Sequence, residues 1–437
     1  MMVRVYMAPG ADVQPPRLIS WNITRRCNLR CPHCYLAAGV AATHELTTLE
    51  ALGLIDQMAA AGTEMLVLSG GEPLLREDVF DLARHASDRG IMVVLGTSGV
   101  LIDETRARQI ASSGIAGVAV SLDSLDPKIH DAFRGMEGAW SLAVDGIDRC
   151  LEHGIPVLVQ ITVMKKNVRE IPAVADFSAR KGVLGFNVYF LVCTGRGEQM
   201  TDISPAQYEE VLSYLVQAQA AYPGMLIRAR CAPHIVRLAS THGNAVLMTS
   251  AGCMAGRSYC RITPQGELTP CPYLPMSAGS VRHRRLLDLW THSPLLAALR
   301  QPELRGRCGA CEYAKANLCI GCRARALASR GDYLDEDPWC TYIPRSQPSP
   351  AEQGARDRDM APSPEGGSPG HVVWTEEALH RLDRVPAFVR DKVRRAVEAS
   401  AARKGYARIT PEALQEIRSQ MPMPFMRKGK GDGVDHV

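Results

Sequence analysis

Three cysteines in one short loop, Cys27, Cys31 and Cys34 in WNITRRCNLRCPHCYLAAG, are the residues of this chain best suited by type and spacing to do chemistry. Their CxxxCxxC spacing supplies only three thiolates. A 4Fe–4S cluster takes four ligands, and cysteine is its usual protein donor. A purely structural cluster would have all four, so three in a tight loop leave one iron open to a small molecule. Structural zinc is the other reading of clustered cysteines, but it needs a fourth donor and usually comes as paired CxxC units. His33 lies between two of the thiols. A histidine on the fourth iron would close the open position, so we read it as non-ligating.

Eight more of the fourteen cysteines fall between residues 251 and 342. The order is Cys253-x6-Cys260-x10-Cys271, with Gly266 before Cys271, then Cys308-x2-Cys311-x7-Cys319-x2-Cys322, and finally Cys340. Two sets of four thiolates fit two further clusters. Two CxxC units also suit a zinc ribbon, although the gap between them is shorter than its usual knuckle separation. Three cysteines remain. Cys150 falls in a helical pattern and reads as a small buried hydrophobe. Cys193 follows the sixth strand candidate, at the rim of a sheet. Cys231 precedes the cysteine-rich segment, and no role is assigned to it.

The elements that must position these groups alternate along residues 18–192. Strand candidates are 18–24, 65–70, 91–96, 117–122, 156–163 and 186–192. Helical patterns lie near 47–61, 76–89, 103–112, 139–152 and 168–181. Such alternation implies a parallel sheet with right-handed crossovers. Periodicity alone allows an open doubly wound sheet or a barrel, and in both the active site lies at the C-terminal strand ends. The cysteine loop follows strand one as this requires. Ser69-Gly70-Gly71-Glu72-Pro73 follows strand two, Thr97-Ser98-Gly99 follows strand three, and Ser121-Leu122-Asp123 follows strand four. Paired glycines let backbone approach a ligand closely, and Glu72 can accept from a cationic amine. Gly-Gly-Glu-Pro is also an ordinary turn, and Ser121 and Asp123 could equally be loop caps.

The rest divides by composition. Residues 1–17 form an N-terminal extension, 18–195 the alternating core, and 196–250 a bridge with a helix at 205–221 and a strand near 225–231. The cysteine-organised segment is 251–342, followed by a Pro-, Ser- and Gly-rich linker at 343–371. A small helical domain occupies 372–421, with Thr375 and Thr410 as N-caps, Pro411 in a first turn, and an apolar stripe of Val389, Val393 and Val397. Residues 422–437 are a polar tail.

Net charge is +4 and aromatic residues make up 5%, so nothing calls for a nucleic-acid partner. No window approaches the roughly 20 apolar residues of a membrane span, and the N-terminus lacks an apolar signal core. A soluble, cytoplasmic protein is expected, with its cysteines kept as metal ligands rather than disulfides.

CxxxCxxC after strand one and GGEP after strand two together resemble the radical S-adenosylmethionine (SAM) superfamily. The resemblance implies a partial (β/α)6 barrel, a SAM-binding 4Fe–4S cluster on Cys27, Cys31 and Cys34, and a 5′-deoxyadenosyl radical that abstracts hydrogen. It also implies SAM contacts from Tyr35, Gly70, Gly71, Glu72, Pro73, Ser98, Ser121 and Asp123. Arg196, at the exit of strand six, would pair with a SAM or substrate carboxylate. Cys193 is a weak candidate for donating hydrogen to a substrate radical, with rim packing its alternative. The later cysteines resemble the SPASM auxiliary-cluster domain. By that order one 4Fe–4S cluster takes Cys253, Cys260, Cys271 and Cys322, and the other Cys308, Cys311, Cys319 and Cys340. The central block departs from the common family spacing. Three clusters are expected in all.

The run CGACEYAKANLCIGCRARA, with PPRLISWNITRRCNLRCPHCY, is similar to the heme-modifying branch of these proteins. Residues 373–421 resemble a helical domain at the C-terminus of the B subunit of light-independent protochlorophyllide reductase. Both imply a tetrapyrrole, an anionic macrocycle whose carboxylates suit arginine. Arg228, Arg230, Arg323 and Arg325 are the substrate-binding candidates, each with a solvated face as its alternative. The implied reaction is removal of a carboxylate-derived fragment from a tetrapyrrole side chain, with a low-potential ferredoxin or flavodoxin as electron donor. Peptide modification by a SPASM-type maturase is the alternative reaction. A non-catalytic iron–sulfur scaffold is the other class, which an intact GGEP motif argues against.

Overall fold

The computed structural model describes residues 13–199, 203–243, 252–345 and 373–383, and parts of 394–420. Two compact units divide the chain near residue 350. The expected linker falls mostly outside the described residues, as do Val389, Val393 and the polar tail.

Seven strands of the first unit run parallel in chain order: β1 (Leu18–Thr24), β2 (Met65–Gly70), β3 (Met92–Thr97), β4 (Ile115–Ser121), β5 (Val157–Val163), β6 (Gly185–Phe190) and β7 (Leu226–Arg230). The first six match the expected strands to within two residues at each end. The seventh, expected as the strand of a bridge completing the core, extends the same sheet. β8 (Tyr259–Ile262) pairs parallel with the other side of β1, and β9 (Glu267–Thr269) and β10 (Gly279–Ser280) follow it antiparallel. The cysteine-rich segment therefore enters the main sheet along β1.

β1 is consequently a central strand, and Ile19, Trp21 and Ile23 are fully buried. Near-continuous apolar runs are what a parallel strand covered on both faces requires. The crossover helices start where their sequences cap them. Thr47 and Glu50 form a reciprocal capping box for Thr48–Ala60, and Ser204 and Gln207 do the same for Pro205–Ala221. Among the helices not foreseen is Pro127–Arg134, capped by Asp126 and ended by left-handed Gly135.

The second unit is not purely helical. Val373–Trp374 and Arg408–Ile409 pair as two short parallel strands. Helices Glu376–Asp383 and Pro411–Gln420 follow them, capped by Thr375 and Thr410 as expected. Ala378, Val397, Ala401, Ile409 and Ile417 form the core. Among the described residues no helix is long and apolar enough to cross a membrane.

Candidate functional site

The chemistry-bearing loops gather at the C-terminal ends of the parallel strands. The loop after β1 closes on itself: Cys27 N–H donates to Gly39 O at 2.8 Å and Gly39 N–H to Arg25 O at 3.1 Å. Cys27, Cys31 and Cys34 share one small apolar cluster with Leu29, Val100 and Ala139. Donors already point at their sulfurs. Leu29 N–H lies 3.4 Å from Cys27 Sγ, Ala38 N–H 3.5 Å from Cys34 Sγ, and Arg134 Nη1 4.0 Å from Cys31 Sγ. Such donors stabilise thiolate over thiol and tune a cluster held there. Without iron, burial dominates and pushes Cys27 up to about 11. Metal binding would release the proton. His33 is half-buried beside Phe133, with its pKa pushed down to about 4 by desolvation, in keeping with a non-ligating neutral ring.

Several expected SAM contacts turn out to brace this loop. The GGEP glycines approach protein backbone. A Cβ on Gly70 would lie 2.4 Å from Thr24 O, and one on Gly71 2.3 Å from Arg26 O. The carboxylate of Glu72 is fully buried and accepts four hydrogen bonds, from Leu74 N, Thr97 Oγ1, Ser98 N and Ser98 Oγ. A carboxylate has about four acceptor sites, so these four protein donors engage all of them here. Pro73 opens the one-turn helix that follows. Asp123 is likewise committed. It pairs with Arg134 at 2.5 Å and accepts from Thr162 N at 2.9 Å, with its pKa held low by Arg134 against the cost of burial. Ser121 ends β4, level with Gln160 of β5. Arg196 does not point to a ligand carboxylate: its guanidinium donates to Cys31 O at 3.0 Å and Ala38 O at 2.6 Å. Gly195 makes this clamp possible, since its φ is +61° and a Cβ would lie 2.3 Å from Tyr35 O.

Tyr35 connects the loop to the inner face of the sheet. Its hydroxyl accepts from Asn22 Nδ2 at 2.9 Å, and Asn22 Oδ1 accepts from Arg261 Nε of β8 at 2.6 Å. Tyr273 packs edge-on at 5.3 Å. Arg228 and Arg230, two apart on β7, sit level with Asn187 and Tyr189 of β6 and so share one face of the sheet. Tyr189 lies within electrostatic reach of both arginines and of Tyr35. Burial and the charge of Arg230 lower the pKa of Arg228. Among the described residues neither arginine has an ion-pair partner, and Arg230 Nε is buried without a hydrogen bond. Cys193 is half-buried just beyond β6.

Arg323 and Arg325 correct their assignment to substrate. Both are buried, at 0% and 2% exposure. Arg323 Nη1 donates to Tyr333 O at 2.9 Å and Asp335 O at 2.7 Å. Arg325 pairs with Asp337 at 3.0 Å and stacks 4.0 Å over Trp339. They are framework residues.

The second and third thiol groups flank this framework. Cys308, Cys311, Cys319 and Cys340 line one cavity with Arg307, Asp337 and Tyr342. Cys308 Sγ accepts from Asp337 N at 3.5 Å and from Arg323 Nη2 at 3.7 Å. Four thiols around one cavity, with donors aimed at a sulfur, fit a cluster. Cys253, Cys271 and Cys322 also lie within electrostatic reach of one another. Cys260 is not with them, and Cys231 is. The available signal was positional: Cys231 follows β7 as Cys27 follows β1.

Comparisons with known proteins identify the family that carries this arrangement of loops and cysteine-rich segments. The radical SAM superfamily model matches residues 21–178, and the iron–sulfur cluster-binding SPASM model matches 253–312. Residues 374–418 match the model of the protochlorophyllide reductase 57 kD subunit. The AdoMet-dependent heme synthase of Methanosarcina barkeri is 39% identical over 76% of this chain and 99% of its own length. The enzyme of the same name from Nitratidesulfovibrio vulgaris is 35% identical over 75% of this chain and 93% of its own. The pre-heme d1 synthase of Dinoroseobacter shibae is 33% identical over 75% and 86%. Streptococcus suis SuiB bound to S-adenosylmethionine shares the fold, with a TM-score of 0.63 at 18% identity over 75% of this chain and 78% of that one. The chain binds SAM and 4Fe–4S iron, and it belongs to the radical SAM/SPASM enzyme family that includes the AdoMet-dependent heme synthases and pre-heme d1 synthase.

Proposed function

We propose that this enzyme makes heme from an iron-porphyrin precursor by oxidative removal of carboxyl groups from its side chains. The observation that carries this reading is the pair Arg228 and Arg230, presented on one face of β7 without a carboxylate partner among the described residues. Two guanidiniums set two residues apart can each take a carboxylate bidentately. Bound SAM with its cluster supplies a 5′-deoxyadenosyl radical. The arginines hold the propionates and thereby fix which side-chain carbon faces that radical. The hydrogen atom leaves on 5′-deoxyadenosine and the carboxyl group leaves as carbon dioxide. One electron is left over, to be taken by an acceptor, the role expected of an auxiliary cluster. Two auxiliary clusters, a low-potential ferredoxin or flavodoxin donor and a cytoplasmic setting complete the proposal. The 39% identity to a heme synthase, against 33% to a pre-heme d1 synthase, favours heme as the product.

The test is anaerobic turnover of reconstituted protein with dithionite and iron-coproporphyrin, following 5′-deoxyadenosine and product mass. Macrocycle-stimulated SAM cleavage with loss of carbon dioxide supports the reading. Replacing Arg228 or Arg230 with Ala should raise KM for the macrocycle about tenfold or more, the equivalent of one lost charge-assisted contact. SAM cleavage indifferent to every macrocycle would overturn it in favour of a peptide substrate.

A further inference from the structure

The family ordering of cysteines assigns Cys253, Cys260, Cys271 and Cys322 to one auxiliary cluster, and the structure disagrees at one position. Cys260 lies in β8, level with Ile19 of β1. Its neighbours show which way it points. Tyr259 bonds Ser20 through its hydroxyl at 2.7 Å, and Arg261 bonds Asn22 and lies over the Tyr35 ring. Both therefore share the face on which Tyr35 and Tyr273 meet. Successive side chains of a strand point to opposite faces, so Cys260 is turned away from that side. It is fully buried in the main apolar core, where Arg300 is the charged group that acts on it. Arg300 itself donates to Trp290 O and stacks 4.6 Å over the Trp290 ring, on the helix-covered side of the sheet.

Cys231 occupies the place that Cys260 does not. It directly follows β7 with φ +57°, a left-handed conformation that a non-glycine residue holds only where its surroundings impose it. Arg325 Nη2 donates to Cys231 O at 2.7 Å in this conformation. The same Arg325 pairs with Asp337, whose carboxylate accepts from Cys322 N at 2.7 Å. One ion pair thus fixes the backbone of two cysteines from distant segments. Cys231, Cys271 and Tyr273 pack against the same core that Cys322 belongs to, and the sulfurs of Cys253, Cys271 and Cys322 lie within electrostatic reach of Cys231.

We propose that Cys231, Cys253, Cys271 and Cys322 hold the first auxiliary 4Fe–4S cluster, and that Cys260 is a packing residue of β8. The cluster is then tied directly to β7, one residue beyond Arg230. This inference rests on the reading that the segment binds two auxiliary clusters.

The experiment uses the full chain with Cys27, Cys31 and Cys34 replaced by Ala, which removes the SAM cluster and leaves the auxiliary ones. After anaerobic reconstitution this parent should hold about eight irons, four per cluster. Adding Cys260→Ala should leave the iron count and the EPR spectrum of the reduced protein unchanged. Adding Cys231→Ala should lower iron by about four, or convert one cluster to a three-iron form visible by EPR. Cys231→Ser retains side-chain volume and an oxygen donor, and should keep the far-UV circular dichroism of the parent while shifting one EPR signal. Loss of a cluster on Cys260→Ala, with an unchanged EPR spectrum on Cys231→Ser, would overturn the assignment. A parent holding only about four irons that Cys308→Ala abolishes would instead overturn the two-cluster reading itself.

Discussion

Asp337→Asn tests whether the buried Arg325–Asp337 pair is the joint of the auxiliary region. Asp337 is fully buried, with its carboxyl held down to about 2 by Arg325, His234 and backbone donors despite the cost of burial. It accepts from Arg325 at 3.0 Å, from Cys322 N at 2.7 Å and from Trp339 N at 3.1 Å. Its own N–H donates to Cys308 Sγ at 3.5 Å. One residue therefore touches both auxiliary thiol groups. Asparagine keeps the shape, removes the charge and turns an amide toward groups that are themselves donors. Breaking a buried pair by removing one partner costs about 3–5 kcal/mol, because the other charge stays buried. At roughly 2–4 °C per kcal/mol for a domain of this size or somewhat smaller, the anaerobic melting temperature should fall by about 10 °C. Iron retention should fall with it, since both thiol groups lose an anchor. Asp81→Ala, which breaks an exposed pair with Arg84 at 3.2 Å, should cost less than about 1 kcal/mol and serves as the control. Replacing both partners, as Arg325→Met with Asp337→Leu, should recover part of the loss, because no buried charge is then orphaned. A single Asp337→Asn variant that melts within about 2 °C of the parent with full iron would refute the reasoning.

Gly195→Ala should displace the Arg196 clamp, because its φ of +61° and a Cβ 2.3 Å from Tyr35 O leave no room. The SAM cluster should then load poorly on iron titration, whereas Gly154→Ala, also at positive φ but with nothing within 4 Å, should load normally. Glu72→Gln sets an amide against the donors of Thr97 and Ser98, at a cost of about 1.5–3 kcal/mol for a charged hydrogen bond. The loop after β2 should loosen, and SAM affinity by calorimetry should weaken about tenfold while iron stays bound.

The strands, the helix at 205–221 and the places of the motifs were legible because each depends on local pattern: apolar runs, caps and loops at strand ends. The roles of particular side chains were less so, because those depend on contacts between distant segments. Glu72 and Asp123 carry the right motif letters, yet their carboxylates are spent on Ser98, Thr97 and Arg134. Arg134 comes from the helix Pro127–Arg134, whose start and stop were written in Asp126 and Gly135 but passed over. Arg323 and Arg325 look like a basic surface in CRARA, and only the burial of that helix makes them framework. The orientation of Cys260 has the same origin. Its face is set by the pairing of β8 with β1, which brings Tyr259 onto Ser20 across 239 residues. Spacing between cysteines holds no information about that register.

The same pairing implies that the auxiliary segment is structurally part of the catalytic core. β1 carries the SAM-cluster loop at one end and gives its outer edge to β8 over Leu18–Trp21. The helices Leu286–His292 and Pro294–Arg300 add Leu286, Leu289, Trp290, Leu296 and Leu299 to the core that β1 shares, each almost wholly buried. Five such side chains are worth about 1.5–3 kcal/mol each. Their sum is comparable to the whole stability of a typical domain, about 5–15 kcal/mol. A chain truncated after residue 250 would lose that burial and expose a long apolar edge on β1, which is an aggregation template. It should be insoluble or molten, and it should fail to hold the SAM cluster even though Cys27, Cys31, Cys34 and the GGEP loop are all present. A soluble, cooperatively melting fragment with about four irons that still cleaves SAM would show that β8 is only an attachment.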